Sequence, residues 1–70
     1  MTMIHVVFSN DGSVRKISEC PRGVSPQEWF NVLSRKTTNS YEPLSGGRGV
    51  FRLSPEDVVA LGNAALSGRG

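Results

Sequence analysis

Along residues 3–9 apolar side chains fill both alternations of an extended chain: Ile4, Val6 and Phe8 on one, Met3 and Val7 on the other. β-Branched and aromatic residues in that pattern predict a strand, and apolar character on both faces places it inside a sheet. Ser9-Asn10-Asp11-Gly12-Ser13 follows, rich in residues that accept the positive φ of a tight hairpin turn. The return strand, residues 13–19, has only Val14 and Ile17 as apolar positions beside Arg15, Lys16 and Glu19. Charge of that kind marks a sheet edge, where it blocks unwanted pairing. Val14 and Ile17 are an odd number of residues apart, which predicts a bulge in the pairing.

After the break at Cys20-Pro21-Arg22-Gly23 the period changes. Ser25, Pro26 and Glu28 stand as N-cap, first helical residue and third helical residue, a capping box with proline where its missing N–H costs nothing. Val24 and Trp29 have the spacing of a hydrophobic staple. The helix is expected over residues 26–36, with Trp29, Phe30, Val32 and Leu33 inward and Arg35 and Lys36 in the last turn, where cations complement the helix dipole. Residues 37–49 are polar and glycine-rich and read as one long loop, of the length that tends to carry function. Residues 50–53 read as a third strand, with Gly49, Phe51 and Leu53 on one side and Val50 and Arg52 on the other. Ser54-Pro55-Glu56-Asp57 then repeats the helix start signal, and a second helix is expected over residues 55–66.

These elements give an α+β fold: a small β-β-α-β-α domain with a three-stranded antiparallel sheet, order 2-1-3, packed against helices. The third strand is then an edge, with Arg52 facing out. Residues 1–66 form the single compact domain and residues 67–70 a frayed tail. The side the second helix covers is left open. So few large apolar residues give a thin core, which keeps a homodimer or a partner-stabilised fold in view.

Composition narrows the function mainly by exclusion. The longest apolar run, Ile4 to Phe8, is interrupted by His5, whereas a membrane span needs roughly 20 apolar residues; neither a span nor a secretory leader is expected. Cys20 is the single cysteine, which excludes an internal disulfide and favours a reducing, cytoplasmic setting. One histidine and one cysteine, with nothing to orient either, make a poor nucleophile–base system, and no metal-ligand spacing occurs. No enzyme activity, cofactor or metal is expected, and His5, within an apolar strand, reads as structural. The run Ser45-Gly46-Gly47-Arg48-Gly49 offers amides for an anion nest. It lacks the Gly-Lys-Ser or Gly-Lys-Thr ending of a phosphate loop and leads into a strand.

Two functions remain. The first is a non-enzymatic regulatory or inhibitory protein that binds a larger protein, with Tyr41, Arg48, Val50 and Arg52 as the contact region; an exposed edge strand suits β-augmentation, and an Arg-rich rim with a tyrosine suits an interface. The alternative is a nucleic-acid-binding module contacting phosphate through Arg35, Lys36, Arg48 and Arg52 around the glycine-rich loop. The net charge of +2 and pI near 9.2 permit this, but a dedicated nucleic-acid binder of this size is usually more basic.

Overall fold

A computed structural model describes residues 1–37 and 40–67. The elements run β1 (Thr2–Phe8), β2 (Val14–Ile17), α1 (Pro26–Lys36), β3 (Tyr41–Leu44), β4 (Arg48–Leu53) and α2 (Pro55–Ser67). The fold is α+β, but the sheet has four antiparallel strands in the order β2-β1-β4-β3. The expected three-stranded 2-1-3 sheet is therefore short of one strand, β3, which lies within the stretch read as a loop. The strand expected at the outer edge, β4, lies inside the sheet. Residues 38–39 of that stretch lie outside the described residues, as do residues 68–70 of the expected tail, while Ser67 ends α2.

Proline explains the hidden strand. The amide of Arg52 donates to the carbonyl of Ser40 at 2.9 Å, and Glu42 opposes Val50. Alternation along an antiparallel ladder then turns the backbone groups of Tyr41 and Pro43 away from β4. Pro43 occupies an outward position on an edge strand, the place where its missing N–H removes no ladder bond. The turn between β3 and β4 carries Gly46 and Gly47 at φ +77° and +70°, a region open to glycine at little cost. The Gly47 carbonyl accepts from the Phe8 amide at 2.8 Å, which ties this turn to the end of β1.

Both helices lie on one face. Ile4, Val6, Phe51 and Leu53 of the sheet join Val24, Trp29, Val32, Leu33 and Ala65 in a single core cluster. Trp29 is fully buried, and its indole N–H donates to the Ser18 carbonyl at 3.1 Å. At the rim Phe30 stacks edge-on against Phe8, Phe51 and Tyr41 at centroid distances of 5.4, 5.7 and 6.0 Å. The helix starts follow the sequence signals. Ser25 Oγ accepts from the Glu28 amide, and the Glu28 carboxylate accepts from the Ser25 amide, both at 3.1 Å; Ser54 Oγ accepts from the Asp57 amide at 3.1 Å. Ser25→Ala and Ser54→Ala are each expected to cost about 1 kcal/mol through the lost cap, read as a lower urea midpoint with unchanged slope. No loss at either position would mean that water satisfies the freed amide equally well.

Candidate functional site

The strand alternation that sends Ile4, Val6 and Phe51 to the helices sends their neighbours to the opposite face, which neither α1 nor α2 covers among the described residues. Register assembles that open face. Met3 opposes Arg52, His5 opposes Val50, and Val7 lies between Arg48 on β4 and Lys16 on β2. Glu42 and Leu44 complete it from β3, opposite Val50 and Arg48. Exposed apolar side chains sit among the charges: Met3 is 45 % exposed and Leu44 37 %. Arg52 pairs with Glu42, both half-exposed. The Arg48 guanidinium Nε–H donates to the Ser45 carbonyl at 3.3 Å.

β2 adds two further cations by a local irregularity. Val14 opposes Phe8 and Ile17 opposes Val6, so three steps along β2 match two along β1. Val14 and Ile17 both pack against the helix-side core. The two residues between them, Arg15 and Lys16, are therefore both left to the solvent side, where simple alternation would have separated them. The open face thus carries Arg15, Lys16, Arg48 and Arg52 against one carboxylate, Glu42, among the described residues.

The expected contact residues fare unequally. Arg48 and Arg52 share the open face. Arg35 and Lys36 end α1 in the helix layer, behind the sheet, so the four cations expected to act together are split between two sides of the molecule. Tyr41 is on the helix side. Its ring lies 4.9 Å from that of Phe51 and over Gly49, whose missing Cβ makes room for it; it belongs to the aromatic cluster. Val50 does lie on the open face, but it is 1 % exposed, flanked by His5, Glu42, Arg48 and Arg52. It supports those side chains from below and has no surface of its own to offer a partner, so its place in the contact region is withdrawn.

Both sheet edges are guarded. Pro43 takes an outward backbone position on β3. On β2 the bulge interrupts the ladder, and the Gln27 side chain on α1 accepts from the Val14 amide at 2.9 Å. Such devices disfavour the addition of a strand from another chain. The β-augmentation expected from an exposed third strand loses its basis, since β4 is an inner strand.

His5 is exposed on the open face, whereas its apolar sequence context suggests a structural role. Its backbone amide donates to Ser18 Oγ at 2.9 Å. Cys20 packs against the core cluster, and its thiol donates to the Val24 carbonyl at 3.0 Å. Burial, and secondarily the Glu28 charge, push that thiol pKa above its ordinary value, the opposite of what an activated cysteine requires. In the first turn the Ser13 hydroxyl and amide both donate to Asp11 Oδ1 at 2.6 and 3.0 Å, which holds the Asp11 carboxyl below the usual carboxylate range. Among the described residues no group of three His, Cys, Asp or Glu is placed to hold a metal ion, and no helix is long and apolar enough to cross a membrane. Compared with family models, with curated proteins and with solved structures, the chain matches none.

Proposed function

We propose that this protein is a non-enzymatic binding protein that regulates or inhibits a larger protein by docking its open sheet face on an acidic, partly apolar surface. The observation that carries this reading is the make-up of that face: four Lys and Arg side chains and one carboxylate around the exposed Met3 and Leu44. Arginine beside apolar contact area suits a protein interface, and one sign of charge steers an oppositely charged partner.

The same face weighs against single-stranded nucleic acid. Sheet surfaces that bind bases present aromatic rings for stacking. Here Phe8, Trp29, Phe30, Tyr41 and Phe51 all belong to the helix-side core and its rim, so among the described residues the open face offers bases a single ring, the imidazole of His5.

Affinity capture from a lysate, with and without nuclease, tests the reading when the native protein is run beside Lys16→Glu/Arg48→Glu. The native protein should retain a protein partner through nuclease treatment, and the variant should retain about tenfold less while showing a native circular dichroism spectrum. Equal capture by the variant would remove the open face from the interface. Capture that disappears with nuclease would move the function to nucleic acid.

A further inference from the structure

Where β2 bulges, a shallow depression opens on the solvent side of the molecule. It is lined by His5 and Val7 of β1, Arg15, Lys16 and Ile17 of β2, Ser18, and Pro26 at the start of α1. The geometry points to this depression as the anchor site for an acidic segment of the partner protein, seating a glutamate or aspartate carboxylate between Arg15 and Lys16. This assignment rests on the protein-docking reading above and specifies where the partner's charge is held.

Three features carry it. First, the bulge makes neighbours in sequence into neighbours on one side. A regular strand would place Arg15 and Lys16 on opposite faces; the extra residue turns both to the solvent side, and both line the depression. Bulges are used in this way to re-aim a side chain at a binding site. Second, among the described residues no acidic residue lines the depression, so an incoming carboxylate meets its two cations with no carboxylate in that lining. Ser18 adds a hydroxyl that can donate to the same anion. Third, Val7, Ile17 and Pro26 add apolar wall, and an acidic side chain carries methylene groups able to rest on it. A nucleic-acid phosphate would bring no such apolar area, and His5 is the one ring in the lining on which a base could stack.

The alternative placement on the same face is the Arg48–Arg52 half. There Arg52 is already engaged by Glu42 and Arg48 by the Ser45 carbonyl. The Arg15–Lys16 pair therefore offers an acidic segment the less committed charge.

Amide chemical shifts of the labelled, intact chain can be followed while acetylated octaglutamate is added, with octathymidylate and octalysine as parallel probes. Octaglutamate should give saturable shifts centred on His5, Val7, Arg15, Lys16 and Ser18, and octalysine none. Arg15→Ala/Lys16→Ala should weaken octaglutamate binding about tenfold. Arg35→Ala/Lys36→Ala, which removes the same charge from the helix layer, should leave it within about twofold. Equal loss in the two variants, or shifts spread over every basic residue, would reduce the effect to general electrostatics and overturn the site. Saturable shifts centred on Arg48 and Arg52 would also overturn the site while leaving docking by the open face intact. Tighter binding of octathymidylate at the depression would overturn both the site and the protein-partner reading.

Discussion

Trp29→Ala should leave the protein largely unfolded at 25 °C. The ring is fully buried at the centre of the only core cluster among the described residues, and truncating such a ring costs about 3–5 kcal/mol. A second cost is polar: the Ser18 carbonyl loses the indole N–H that it accepts at 3.1 Å in a partly buried bond, and an acceptor shielded from water and left short of its partner is destabilising. Domains of this size have little stability in reserve. Trp29→Phe shifts the balance between the two costs, because it keeps most of the apolar volume while removing the N–H. Urea unfolding followed by far-ultraviolet circular dichroism is the measurement, since the substitution removes the single tryptophan and with it the fluorescence signal. A cooperative transition for Trp29→Ala with a loss below about 1 kcal/mol would mean that the core closes around the gap.

The same residue illustrates what was legible in the sequence. The helix starts are local devices. Ser25, Glu28 and Pro26 act within one turn, and Val24 and Trp29 are joined across it, so their spacing is sufficient to predict them. β1 and the inward side of β4 were legible for the same reason: alternation at period two is written into adjacent residues. The bulge was legible too, from the three-residue spacing of Val14 and Ile17. The placement of Arg15 and Lys16 on one side is not visible in that spacing, because two charged residues on a short strand carry the same pattern whether they mark an edge or a bulge.

β3 was not legible, and the cause is physical. Tyr41-Glu42-Pro43-Leu44 contains a proline and a single half-buried side chain, so neither propensity nor periodicity marks it. Pro43 is acceptable only because its backbone faces away from β4, and that parity is fixed by which residues of β4 it meets. Once β3 exists, β4 becomes an inner strand, Tyr41 turns toward Phe30 and Phe51, and Val50 is enclosed. One unrecognised strand thus accounts for the missing fourth strand beyond an otherwise matching 2-1-3 order, for Tyr41 packing on the helix side, for the burial of Val50, and for the expected strand addition at β4. The separation of Arg35 and Lys36 from Arg48 and Arg52 has a different origin: it follows from both helices sharing one face, a choice made by long-range packing.

Gly49 should show an effect whose sign depends on Tyr41. Glycine weakens a strand relative to alanine by roughly 0.5–1 kcal/mol, so on backbone grounds Gly49→Ala in an inner strand should stabilise. The structure opposes this, since a Cβ at position 49 would enter the Tyr41 ring and overlap its hydroxyl and adjacent ring carbons. Either β4 shifts or the ring leaves its place beside Phe51 and Phe30. Overpacking of this kind costs about 1–3 kcal/mol and outweighs the backbone gain. Tyr41 is also the only β3 side chain that is not exposed, so displacing it should loosen the edge strand as a unit, seen as faster amide exchange across Tyr41–Leu44. In the background of Tyr41→Ala the obstacle is gone, and the same Gly49→Ala change should become neutral or stabilising. The four-protein cycle, measured by urea unfolding, should therefore give a coupling above about 1 kcal/mol, well outside the few tenths expected of independent sites. Additive behaviour would show that the Tyr41 ring has another place to go, and that Gly49 is present for some reason other than accommodating it.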